Sequence, residues 1–284
     1  MVHVQKTLKK NVSFSGVGVH SGQPSSVTLW PAAPNTGVMF CNAANSDQVI
    51  KIGTVIPEAA MHATVIKKDG WYVSTIEHLM AALLMLGVDN VRIEVEGNEI
   101  PILDGSALLF AQGIVDTGFV ASDVPRRFLT PRTVLNFADQ QGRSLQLQPA
   151  AEGVLDFYID YVAEFQHPLA GNPSLQGLVT PAFFLEQLAP ARTFGFLEQL
   201  PFLRQHKLAQ GSSLSNTVVI GQEPINDMRF ADECVRHKVL DLVGDLSLLG
   251  GPLIGTIKAH KTSHNFNRLV IQHFVQQPEL WALI

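Results

Sequence analysis

The chain is poor in charge, and in positive charge above all. Only 16% of its 284 residues are Asp, Glu, Lys or Arg, and 20 basic against 25 acidic side chains leave a net charge of −5. That balance lacks the basic footprint of a nucleic-acid binder. Cysteine is scarce as well. Cys41 and Cys234 allow at most one disulfide, which excludes a disulfide-built scaffold and points to a reducing, cytoplasmic home. The longest apolar run, Leu79 to Val88, is about half of what a membrane span requires. The opening Met-Val-His-Val-Gln-Lys has no apolar h-region, so no secretory signal is expected. Gly (22) and Pro (16) are too few for a low-complexity or collagen-like chain. What is present is 46% hydrophobic residues, ample for a buried core, and ten histidines.

The length suits one large domain or two ordinary ones. The first part reads as short β-segments, Ser26–Trp30, Gly37–Cys41 and Trp71–Ser74. A helix-period run from Ile76 to Leu86 follows, and then the alternating strand Val91–Val95. Two prolines and little periodicity mark 123–131 as a linker, leaving domains at 1–122 and 132–284. The second part restarts with a hairpin, Thr133–Phe137 and Ser144–Gln148, and a strand over Leu155–Tyr161. Helices are expected over Pro181–Leu188, Leu197–Gln205 and Asp232–Leu249, then a strand over Leu253–Lys258 and a last helix after Ser263. Each half thus ends on an apolar helix closing at Leu-Gly, followed by a strand. Superposing Leu86-Gly87 on Leu249-Gly250 places His78 on Asp241. The expectation is an α+β fold of two halves of similar build.

His237 and Asp241 stand four apart on a predicted helix and share a face, so together they can grip a metal or form an exposed ion pair. Cys234 joins the same stripe as a possible third ligand or as a small buried hydrophobe. His78 is the other contender, and it would put a metal between the halves, a common place for active sites. Glu77 has two readings. Ser74-Thr-Ile-Glu77 fits a capping box, which would tie the carboxylate to its own N-cap; alternatively Glu77 is a free base. Ser263 looks like an N-cap that places His264 in the first turn of a helix. A helix N-terminus disfavours imidazolium, so an acid there needs a carboxylate partner, for which Asp245 is placed.

These residues fall in a series of blocks spread over most of the chain. They include Gly16-Val-Gly-Val-His20-Ser-Gly, Ser74-Thr-Ile-Glu-His-Leu79 and Glu99-Ile-Pro-Ile-Leu-Asp-Gly-Ser106. In the second half come Ala191-Arg-Thr-Phe-Gly-Phe196, Gly211-Ser-Ser-Leu-Ser-Asn216 and Arg229–Asp245. In this order they resemble the zinc-dependent UDP-3-O-acyl-N-acetylglucosamine deacetylases of lipid A synthesis. The resemblance implies two βα sandwich domains, each with a small insert, and an active site at their interface. It implies one Zn²⁺ held by His78, His237 and Asp241, with Cys234 reduced to core packing. It gives Glu77 the role of general base and His264 that of general acid supported by Asp245. Thr193 is carried over for the oxyanion, Lys238, Phe194 and His20 for substrate contact, and about 194–210 for an apolar acyl-chain insert; Tyr161, near the end of its alternating strand, is placed to stack on the nucleotide. The expected partner is the acylated UDP-sugar, with no nucleic acid, no transmembrane segment, a monomeric chain and no fused dehydratase module after Trp281. Tyr161–His167 looks longer than the corresponding family stretch. The competing readings are a silent lipid or nucleotide binder and a hydrolase of another N-acyl sugar or a peptide.

Overall fold

Alternation along the strands dictates two sheets, each with one face to the core. The computed structural model describes residues 3–284. In the N-terminal half, β1 (Val12–Val17), β2 (Pro24–Pro31), β3 (Val38–Asn42), β4 (Asn45–Lys51) and β5 (Val91–Glu96) form a sheet in the order β1-β2-β5-β3-β4. Helix α1 (Glu77–Met85) precedes β5 and α2 (Leu108–Thr117) follows it. In the C-terminal half, β6 (Leu135–Ala138), β7 (Ser144–Gln148), β8 (Phe157–Val162), β9 (Ser174–Leu178) and β10 (Gly255–His260) repeat that order as β6-β7-β10-β8-β9. Helix α3 (Glu233–Leu246) precedes β10 and α4 (His264–Gln276) follows it.

The correspondence extends to strand direction. The central strand, β5 or β10, is antiparallel to β2 or β7 and parallel to β3 or β8. Its register stacks apolar rows: Leu29, Ile93 and Phe40 in one sheet, Leu147, Ile257 and Ile159 in the other. The shared Leu-Gly phrase marks equivalent corners, where Gly87 (φ +74°) and Gly250 (φ +85°) turn the chain from helix to strand. The fold is α+β, as expected.

One apolar cluster runs from the first sheet through α1 and α3 to the second. Helix α1 is buried on nearly every side, which its run of Leu, Met and Ala permits. The stretch 123–131 is not irregular throughout. Phe119–Pro125 pairs with Val4–Leu8, and Leu129–Pro131 pairs with Trp281–Leu283. The strand expected from Leu155 begins at Phe157. The segment expected to be helical from Pro181 is a single α-turn, 181–183, continuing as a π-turn over Phe184–Leu188. Both cysteines are buried and free. Among the described residues no helix is long and apolar enough to cross a membrane.

Candidate active site and metal centre

The first turn of α1 is aimed by the residue before it. Thr75 adopts φ +57°, a strained region for a β-branched side chain. Its hydroxyl donates to Glu99 Oε1 at 3.1 Å, and Glu99 also accepts the backbone N–H groups of His20 (2.8 Å) and Ser21 (2.9 Å). The capping box does not form. Ser74 lies in the strand Trp71–Ser74, and the helix N-cap is Ile76, with no side-chain cap. Glu77 is therefore free of its own N-terminus and accepts the Thr64 N–H at 3.1 Å. Gly244 on α3 completes the placement. A Cβ there would lie 2.1 Å from the Glu77 carbonyl oxygen, so only glycine lets the two helices approach this closely.

That approach sets His78 of α1 against His237 and Asp241 of α3, all buried. Asp241 Oδ1 lies 3.5 Å from His78 Nε2 and 3.4 Å from His237 Nε2, beyond hydrogen-bond length. It has no hydrogen-bond partner among the described residues. A buried carboxylate oxygen left this way signals a missing partner. Tetrahedral zinc with bonds of about 2.0–2.1 Å separates its ligand atoms by about 3.3–3.4 Å, which matches these spacings. Protonation states agree. His237 shares its Nδ1 with the Ala191 carbonyl at 3.0 Å, a bond that makes Nδ1 the donor and leaves the Nε2 lone pair for a metal. Burial, aided by His78 and opposed by Asp241, lowers His237 to about 4, keeping it neutral. Burial would raise Asp241, but Lys238 Nζ at 2.7 Å and His237 outweigh it and hold the carboxyl well below its usual range. Cys234 is not in the group. It packs with Val218 and Ile220, and burial pushes its thiol up to about 12.

His264 opens α4 behind the Ser263 N-cap. Its Nδ1 donates to Asp245 Oδ2 at 2.9 Å, and Asp245 also accepts Asn267 Nδ2 (2.7 Å) and the Thr64 hydroxyl. Its Nε2 stands 3.9 Å from Glu77 Oε1 and 3.8 Å from Asp241 Oδ2. Burial would favour the neutral ring, but Asp245 and then Glu77 outweigh it and raise His264 to about 9. Glu77 moves the other way for a carboxyl. Burial raises it above its usual range against the pull of His264 and His78. A basic carboxylate and a charged imidazole thus flank the three candidate ligands.

A cleft of about 410 Å³ opens over these groups, lined among others by His20, His62, Thr193, Phe194 and Lys238. The structure thus brings His20, Thr193, Phe194 and Lys238 together in the lining of one cleft with Glu77, His78, His237, Asp241 and His264. His20 is anchored through Nε2 to the His62 carbonyl at 3.1 Å. Tyr161 corrects an expectation. It is 1% exposed, because strand alternation turns it inward with Ile159, and its hydroxyl accepts from Thr262. No ring face is open for a nucleotide. Thr64, Asn267 and Glu99 are parts of the site that sequence reasoning missed. A larger cavity of about 530 Å³, lined by Met80, Leu84 and Trp281 among others, lies elsewhere and includes none of these titratable groups.

Two histidines and a carboxylate with an orphaned oxygen, beside a second carboxylate and a charged imidazole, form a group that could hold a metal ion, as a metalloamidase requires. The chain belongs to the UDP-3-O-acyl N-acetylglycosamine deacetylase family, which it matches over residues 5–276. It is 39% identical to the UDP-3-O-acyl-N-acetylglucosamine deacetylase of Syntrophotalea carbinolica over 285 residues, 99% of this chain and 90% of that protein. It is 36% identical to the enzyme of the same name from Histophilus somni over 287 residues, 99% of this chain and 92% of that protein. For the one from Nautilia profundicola the figures are 38% over 275 residues, 96% and 92%.

Proposed function

We propose that the protein hydrolyses the N-acetyl group of UDP-3-O-(3-hydroxyacyl)-N-acetylglucosamine, releasing acetate and the free 2-amine, the committed step of lipid A biosynthesis. The observation that carries this reading is Asp241 Oδ1, buried and without a hydrogen-bond partner among the described residues, 3.5 and 3.4 Å from two histidine nitrogens. Family membership supplies the substrate class. His78, His237 and Asp241 would hold one Zn²⁺, which when bound lowers the pKa of a water to about 7 and polarises the acetyl carbonyl.

The chain's own groups divide the remaining work. Glu77, its carboxyl raised by burial, takes the proton of the attacking water as the C–O bond forms. His264, held charged by Asp245, stabilises the tetrahedral oxyanion and then delivers its Nε2 proton to the sugar nitrogen as the C–N bond breaks. The Thr193 hydroxyl donates a second hydrogen bond to the oxyanion. Lys238 and His20 meet the polar part of the substrate. Phe194 and the apolar insert at about 194–210 take the acyl chain. The site then sits between two domains, 1–122 and 132–284, joined through 123–131. Two buried free thiols support a cytoplasmic setting, and the chain acts as a monomer.

The test is metal content of protein purified without added metal, alongside deacetylation of the acylated UDP-sugar. About one zinc per chain, with turnover lost to chelator and restored by metal, is the expected result. No metal and no turnover would mean a silent binder. Robust turnover of a short N-acetyl sugar lacking UDP and acyl chain would overturn the substrate.

A further inference from the structure

We propose that Thr64 is a positioning residue for this reaction, holding the general base and the supported general acid in register from one point; the proposal rests on the deacetylase reading above. Thr64 is 4% exposed and belongs to the N-terminal half. Its backbone N–H donates to Glu77 Oε2 at 3.1 Å, the one hydrogen bond that the Glu77 carboxylate accepts among the described residues. Its hydroxyl donates to Asp245 Oδ1 and lies 3.1 Å from His264 Nδ1, groups 181 and 200 residues further along the chain. The base and the carboxylate behind the acid are thus tied to a single residue, one through its backbone and one through its side chain. The segment before it is pinned to the same helix as His264, because Ala60 N–H donates to Asn265 Oδ1 at 3.1 Å.

The two bonds can be separated chemically. Thr64→Val keeps the backbone donor and the side-chain volume and removes only the hydroxyl. Asp245 then loses one of its three donors while His264 and Asn267 remain. Behind the pair lies a gap of about 10 Å³ bounded by Thr64, Asp245, His264 and Arg268 among others. That is close to the least room a water needs. Thr64→Ala enlarges the gap, and a water there restores a donor to Asp245. Thr64→Val fills the space with methyl groups and admits none. A role in orientation therefore orders kcat as Ser above Ala above Val. A role in packing alone would rank Val, which conserves volume, above Ala.

The experiment measures kcat and KM on the acylated UDP-sugar for wild type, Thr64→Ser, Thr64→Ala and Thr64→Val, with zinc content and melting temperature of each. Loss of a hydrogen bond to a charged group predicts a kcat about ten- to a hundredfold lower for Val. Zinc content stays at wild-type level and KM within about threefold, and Ser stays within about threefold of wild type. Wild-type kcat in Val, an effect on KM alone, or Ala slower than Val would overturn the proposal. If Val does not fold, Ser faster than Ala at equal zinc content sustains it, and equal rates refute it. An inactive wild-type chain would instead refute the deacetylase reading.

Discussion

Gly244→Ala places a methyl group on the contact that builds the proposed metal centre. The new Cβ would lie 2.1 Å from the Glu77 carbonyl oxygen, 2.7 Å from its carbonyl carbon and 2.9 Å from its Cα. All three are backbone atoms of the first turn of α1, so no side chain can swing aside. Ordinary contact needs about 3.5 Å, so α1 and α3 must part by about 1.4 Å at this point. Two effects oppose each other in stability. Alanine gains up to about 1 kcal/mol over glycine as a helix former. Overpacking a buried contact costs about 1–3 kcal/mol, and a backbone clash lies at the upper end. The net is destabilisation by about 1–2 kcal/mol. The effect on the site is larger, because His78 rides on the displaced turn and metal ligands tolerate only about 0.2 Å of misplacement. Zinc content, chelator competition and denaturant unfolding check this together. The expected variant is folded, somewhat less stable, and depleted of zinc and activity. Gly113→Ala in α2 is the comparison. Its Cβ meets the ring edge of the half-buried Phe14 at 2.7 Å, which can rotate away, and Val12 Cγ2 at an ordinary 3.5 Å, so zinc and activity are unaffected. A Gly244→Ala protein with full zinc and wild-type stability would refute the claim that this contact sets the ligand geometry.

Glu77→Gln retains the shape and the Thr64 N–H bond but loses the base, so zinc stays and kcat falls about 10²–10⁴-fold; a zinc-free variant would contradict the role. The pH profile tests His264. It must be protonated to act, so kcat holds below its pKa and falls as pH rises through it. That pKa is raised to about 9 by Asp245 and Glu77 against burial, and a bound dication brings the limb below that value. Asp245→Asn removes the largest raising influence, so the alkaline limb moves to lower pH, and an unmoved limb would sink the pairing. Tyr161→Phe removes only a 3.3 Å hydrogen bond from Thr262, costing about 1 kcal/mol in stability with KM unchanged; a raised KM would restore Tyr161 to the substrate site.

Much of the architecture was legible because local periodicity and topology agree. The Leu-Gly corners at Gly87 and Gly250 pointed to a repeat, and the two sheets carry the same strand order and directions around β5 and β10. The superposition that placed His78 on Asp241 pairs residues whose Nε2 and Oδ1 atoms lie 3.5 Å apart. Where propensity and tertiary contact disagree, the sequence was a poorer guide. Pro181–Leu188 has a helical pattern, yet the chain there takes a π-turn against the core, with Phe184 and Leu188 fully buried. The prolines of 122–131 looked like punctuation, but strand pairing with distant segments begins and ends inside that stretch.

The site shows the same division more sharply. His237 and Asp241 could be read from an i,i+4 spacing because one helix places both. Glu77 could not be settled in that way. The capping box is a local pattern, and what defeats it is the left-handed Thr75 held by Glu99, which turns the helix start away from Ser74. Thr64 carried no signal at all. Its two bonds reach 13 and 181 residues further along the chain, and nothing in the spacing of a lone threonine encodes such partners. Tyr161 failed for a related reason. Alternation puts it on the face of Ile159 but does not say which face is the core; in the fold that face is buried, with Ile159 and Tyr161 beside Ile257 and Ala259. Chemistry carried on one element was legible in the sequence. Chemistry assembled across the two halves had to wait for the fold.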